Sequence, residues 1–165
     1  MTVRPIVKFP DSRLRARATD VEAFDDDLRI LAADLTDTMR AAPGIGITAP
    51  HVGVLQRVVV LELSAADGVR IYVNPVILWS SPETRPYMEG SVSMPGVSEE
   101  IERPVRVKVR WQDLDGASRT EEADGLLAVC LQHEIDQLDG RFWIDRLSRL
   151  KRERVVKRYE KLQKR

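Results

Sequence analysis

A chain of 165 residues, 43% apolar and 32% charged, can bury one core and reads as a single globular domain over residues 1–165. Its 26 basic residues balance 26 acidic ones, so no global charge favours nucleic acid or a membrane surface, and neither specific DNA binding nor membrane attachment is expected. One cysteine, Cys130, excludes an internal disulfide, and no apolar run approaches the roughly 20 residues of a bilayer span, so a reducing, cytoplasmic setting is the expectation.

The first predicted element is a helix over residues 25–40. Phe24, Leu28, Leu31, Leu35 and Met39 recur every three or four positions, and Asp25, Asp26 and Asp27 sit where the helix dipole favours negative charge. Pro43 and Gly44 end it. Gly44, Gly46 and Pro50 then put too many breakers in the chain for a helix or a central strand. Residues 57–63, rich in Val and Leu, read as a buried strand, and residues 69–73 as a second, closed by Asn74-Pro75. Over residues 105–111 the alternation is strict, with Val105, Val107, Val109 and Trp111 on one face and Arg106, Lys108 and Arg110 on the other. Asp115-Gly116 turns that strand into another over residues 118–123. A buried helix is predicted over residues 126–138. A basic amphipathic helix follows, with Ser148 as its N-cap. Residues 148–165 hold nine Lys or Arg against Glu153 and Glu160, so the rest of the chain is net acidic. The mixture of helices and largely antiparallel strands is an α+β arrangement.

The buried helix opens on Leu126-Leu127-Ala128-Val129-Cys130-Leu131 and turns polar at Gln132-His133-Glu134-Ile135-Asp136-Gln137. Carrying His and Glu into a buried helix costs several kcal/mol unless each finds a partner. Positions 133 and 137, four apart, project from one helix face. His at both, with Glu after the first, is the zinc-helix signature of two imidazole ligands and a carboxylate base. Here position 137 is Gln, a neutral and weak ligand. The H-E-x-x-Q motif alone therefore fits a damaged metal site and a hydrogen-bonded core histidine equally well.

Three segments carry a resemblance. Pro43-Gly44-Ile45-Gly46-Ile47-Thr48-Ala49-Pro50-His51 resembles the G-x-G-x-A-A-P-Q segment of peptide deformylases, and Glu89-Gly90-Ser91-Val92-Ser93 resembles their E-G-C-L-S segment. Residues 131–140 resemble their Q-H-E-x-D-H-L-x-G helix, and order and spacing match too. The resemblance implies the deformylase fold: antiparallel strands around a central helix that carries the HExxQ motif, plus the C-terminal basic helix.

It also implies roles. The family holds Fe²⁺ or Zn²⁺ with the Cys of the second motif and two His of the third, and removes the formyl group from the N-terminal methionine of nascent chains. The matching positions are Ser91, His133 and Gln137, so only His133 keeps its ligand identity. A serine hydroxyl stays protonated at neutral pH and binds weakly, so no tightly bound metal is expected. Glu134 matches the general acid/base, and Val92 supplies the backbone N–H that joins the motif-one Gln in stabilising the oxyanion. Ile45 and Gly46 match the segment that pairs with bound peptide, Gly90 its neighbour beside the ligand position, and Val129 and Cys130 the methionine pocket. Glu89 and Arg103 match a supporting ion pair, which Asp136 accompanies. The implied partner is an N-terminal methionyl peptide, and the helix over 148–165 resembles the extension with which bacterial deformylases approach the ribosome; a solvated helix without a partner fits equally.

His51 departs from the family's Gln, and the chain's two histidines, His51 and His133, both fall in this site. Three readings stay open. The pocket is retained while metal-dependent deformylation is lost or weak; or His51 rebuilds a working site, as a ligand or as an acid/base; or Ser91 acts as a nucleophile with a histidine base and Glu134. Cys130 reads more simply as a small buried hydrophobe than as a pocket group. Trp79, Trp111 and Trp143 are expected in the core or at its rim.

Overall fold

The structure, a computed structural model, describes residues 2–165. The first expected helix is α1 (Asp26–Ala41), with the Asp25 carboxylate accepting the Leu28 N–H at 3.1 Å. The breaker-rich segment that follows contains a short strand, β1 (Gly46–Thr48), which lies at an edge of its sheet. Next come β2 (Val58–Leu61), β3 (Arg70–Ser80), β4 (Thr84–Ser91), β5 (Met94–Pro104), β6 (Arg106–Gln112) and β7 (Ser118–Asp124). The helices α2 (Gly125–Leu138) and α3 (Arg149–Gln163) complete the chain. Among the described residues, one antiparallel sheet runs β1-β2-β3-β6-β7 and a second pairs β4 with β5.

The sheet sits between two helices. Val58 and Val60 of β2 pack with Leu28, Leu31, Leu35 and Met39 of α1, while Val59 and Leu61 pack with Leu131, Ile135 and Leu138 of α2. Both faces of β2 are covered, which is why it reads as an unbroken apolar run instead of alternating. Strand β6 does alternate, with Val107 and Val109 buried and Arg106, Lys108 and Arg110 exposed. A third cluster forms where Val155 and Tyr159 of α3 meet Val97 and Ile101 of β5, with Phe142 and Trp143 between. The Ser148 side chain caps α3 by accepting the Lys151 N–H.

Two expectations are corrected. Asn74-Pro75 does not close a strand. Strand β3 runs through it with a register shift between Val73 and Val76, and Asn74 takes a positive φ of 51°. The Asn74 side chain makes that conformation tolerable: Oδ1 accepts the Val21 N–H, and Nδ2 donates to Val21 O and Gln112 Oε1. The second correction is the β4–β5 hairpin, where no strand was expected. Its segment holds Pro86, Gly90, Pro95 and Gly96, and its inward face carries Glu89 and Arg103 beside Val97 and Ile101, so no apolar alternation marks it. Trp143 is buried and Trp111 partly so, but Trp79 is half exposed.

Candidate active site

Helix α2, strand β1 and the β4–β5 hairpin enclose a cavity of about 570 Å³. Helix α2 is fixed at its C-terminal end. Arg57 Nη1 donates to Leu138 O at 3.1 Å, Arg57 Nη2 donates to Asp139 at 2.8 Å, and Gln137 Nε2 donates to Leu14 O at 2.7 Å. Strand β1 must lie close to the helix: a Cβ on Gly46 would come within 3.4 Å of the Glu134 carboxyl carbon and 2.9 Å of Leu61. At Gly90 an added Cβ would stand 3.0 Å from the Val97 carbonyl across the hairpin.

Most of the residues singled out in the sequence line this cavity: Ile45, Gly46, His51, Glu89, Gly90, Ser91, Val92, Val129, Cys130, His133 and Glu134. Arg103 and Asp136 stand behind the wall. Gln137 is not among the lining residues; its amide N–H donates to Leu14 O at 2.7 Å. Lys8, Met88, Val97 and Leu126 also line the cavity and were not foreseen. Lys8 Nζ donates to Val92 O at 3.2 Å across 84 positions of sequence, a proximity that no local pattern encodes.

One wall is a continuous run of charge. Arg146 pairs with Asp136, Asp136 accepts from Arg103 Nη1 at 3.0 Å, Arg103 Nη2 donates to Glu89 Oε1 at 2.8 Å, and His133 Nδ1 donates to the same oxygen at 2.8 Å. Arg103 is 1% exposed. Burial works against ionisation of Glu89 and Asp136, but their hydrogen bonds and the neighbouring cations outweigh it and hold both carboxyls below their ordinary range. Burial also opposes protonation of His133. The Glu89 hydrogen bond and the charges of Glu134 and Glu89 together overcome it, and the imidazole titrates above its ordinary value.

The groups nearer β1 are different. Glu134 is pushed up to about 7, chiefly by burial, and its Oε2 has no hydrogen-bond partner among the described residues. Its Oε1 lies 3.5 Å from His133 Nε2, too far for a strong hydrogen bond. His51, 1% exposed, accepts the Thr48 N–H on Nδ1 at 2.9 Å and has Nε2 buried without a partner among the described residues. Burial, then the nearby His133, lowers His51 to about 3. Cys130 is pushed up to about 12 by burial and by the carboxylates of Glu134 and Glu89, so it packs as a neutral thiol.

Ser91 Oγ accepts the Ser93 N–H at 3.1 Å, and among the described residues neither histidine hydrogen-bonds to it. Among those residues no three His, Cys, Asp or Glu side chains gather as an ion would require. The arrangement can hold a carbonyl or amide group between buried polar atoms, and can exchange a proton through Glu134 near neutral pH.

Comparison with known proteins gives a consistent picture. The polypeptide deformylase family model matches residues 3–153. A peptide deformylase-like protein of Brucella melitensis is 67% identical over 99% of this chain and 100% of its own length. The solved peptide deformylase of Legionella pneumophila superposes with a TM-score of 0.93 at 38% identity, over 99% of this chain and 96% of that one. That of Ehrlichia chaffeensis in complex with actinonin gives 0.93 at 35% identity, with both chains covered completely.

Proposed function

The chain belongs to the peptide deformylase family, and on that premise we propose that it keeps the N-terminal-peptide pocket as a binding site while metal-dependent deformylation is lost or weak. The observation that carries this reading is the fate of Gln137. At the position where the family has a metal-binding histidine, the amide N–H is bonded to Leu14 O and the residue is absent from the cavity wall. Ser91 contributes a hydroxyl in place of a thiolate, so His133 is the one strong ligand of the family set that this site offers. Three such residues do not fit a catalytic cation, and no step is assigned to one. The peptide-facing part of the site supports retention of binding: Ile45, Gly46, Gly90, Val129 and Cys130 all face the cavity.

Metal analysis and a restoration variant test this. Protein purified with iron, zinc or cobalt supplied should carry well under one equivalent of metal. Ser91→Cys with Gln137→His should raise both metal content and turnover of formyl-Met peptides. Near-stoichiometric metal and ordinary turnover in the unaltered protein would overturn the reading. A double variant that binds metal but stays inert would show that the cleft itself has decayed.

We further propose that the protein works in the cytoplasm as one domain and contacts the ribosome through α3. Lys151 and Arg158 are tied to Glu99, but Arg154, Lys157, Lys161, Lys164 and Arg165 make no ion pair among the described residues and leave a basic outer face. Cosedimentation with ribosomes should weaken when residues 148–165 are deleted and at higher salt. Unchanged cosedimentation would remove α3 from this role.

A further inference from the structure

We propose that Lys8 is a charge-selecting residue at the mouth of the cavity, where it reads a carboxylate carried by the bound peptide beyond its first residue. The backbone on either side of Lys8 is tied to residues far along the chain. The Val7 N–H donates to His51 O at 2.8 Å, and the Phe9 N–H donates to Ser93 O at 2.8 Å. Val7 is buried in the cluster that contains Leu14, Met94 and Phe142, and Phe9 packs against that cluster. With both neighbours held inward, Lys8 is left exposed and lines the cavity. Its Nζ donates to Val92 O at 3.2 Å, which holds the ammonium beside the turn that joins β4 to β5.

The charge at this point is unmatched. Among the described residues Lys8 is the one Lys or Arg that lines the cavity, and it makes no ion pair. An ammonium carries three donors and Val92 O takes one, so two are left for a ligand or for water. The carboxylates in the lining do not serve it. Glu89 and Glu134 are both buried, and Glu89 is already bonded to Arg103 and His133. The rest of the rim is apolar, with Ile45, Met88 and Leu126 all exposed. A peptide whose first side chain lies against Val129 runs out across this rim. There a carboxylate gains an ion pair and an ammonium meets a like charge. The carboxylate has two sources, an Asp or Glu side chain or the C-terminus of a short peptide.

This rests on the reading of the cavity as a peptide site, and the experiment keeps the two apart. Calorimetry on the purified full chain at low salt compares N-formyl-Met-Glu-Ala, N-formyl-Met-Ala-Ala and N-formyl-Met-Lys-Ala as C-terminal amides, with N-formyl-Met-Ala-Ala as a free acid beside them. The Glu amide or the free acid should bind about two- to fivefold more tightly than the Ala amide, the range of an ion pair at an exposed rim. The Lys amide should bind more weakly than the Ala amide by a similar factor. Whichever arm gains identifies the carboxylate that is read. In Lys8→Met, which keeps the aliphatic stem, the preference should vanish, and in Lys8→Glu the order should invert so that the Lys amide binds best. A merely structural role would weaken all four peptides together and invert nothing. On the unaltered protein, independent of how either variant folds, the preference should shrink as salt rises from about 0.05 M to about 0.5 M. Equal affinities in low salt, or an order that survives in Lys8→Glu, overturn the role of Lys8 and leave the pocket reading intact. No binding of any peptide removes both.

Discussion

On the hairpin side of the cavity each charge is matched: Arg103 joins Glu89 to Asp136, Glu89 also accepts from His133, and Arg146 closes the run. On the side of β1, His51 Nε2 and Glu134 Oε2 are also buried and have no partner among the described residues. An unsatisfied buried polar atom costs about 1–3 kcal/mol, so the second wall is destabilising as it stands and the first is not. The contrast separates scaffold from recognition. Saturated groups hold the hairpin against α2, and the unsaturated ones border the cavity.

The comparison makes graded predictions. Arg103→Met leaves two carboxylates and an imidazole facing a dry interior and should cost about 3–5 kcal/mol in urea unfolding. A loss below about 1 kcal/mol would mean that the run is not a closed network.

Groups of the site should also titrate in opposite senses, Glu134 and His133 in one and Glu89, Asp136 and His51 in the other. Glu134 has a folded value of about 7 against an ordinary 4.5, so the stability its neutral carboxyl contributes is complete below pH 4.5 and is lost as pH rises toward 7. That loss is on the order of 3 kcal/mol, shared with His133, whose raised value acts in the same direction. Glu89 and Asp136, both held low, instead contribute stability that disappears as pH falls below their ordinary values. Unfolding free energy followed from pH 3 to 8 should therefore pass through a maximum on the acid side of neutrality, and Glu134→Gln should flatten only the alkaline slope.

Smaller effects mark the ends of the network. Gln137→Ala strands the Leu14 carbonyl and should cost about 1–2 kcal/mol. Arg146→Ala, at the rim with its side chain 31% exposed, should cost under about 1 kcal/mol. If Arg146 matters as much as Arg103, burial is not what strengthens the run.

Much of this was legible in the sequence, for identifiable reasons. The helix periodicity of Leu28, Leu31, Leu35 and Met39, the alternation of Val107 and Val109, and the Ser148 cap each rest on interactions between near neighbours, and each appears where expected. The hairpin β4–β5 was invisible because its buried face is partly ionic. Glu89 and Arg103 look like surface residues until they meet. The bulge at Asn74 was misread as a strand end because the side-chain bonds that rescue it reach Val21 and Gln112, far along the chain. At the site, residue identities and their convergence on one cavity followed from the motifs. The direction of each hydrogen bond did not: nothing in the letters says that His51 bends back to Thr48 or that Gln137 turns to Leu14.

The Gln137–Leu14 bond has a bearing on reversibility. It fastens the central helix to the short turn Ser12–Arg15, so this side chain has a structural duty. Changing it to histidine alone would surrender that anchorage while Ser91 still lacked the thiolate, giving a weaker fold with nothing gained. The double replacement therefore has to offset a lost helix anchor before any gain in metal binding can appear in its stability.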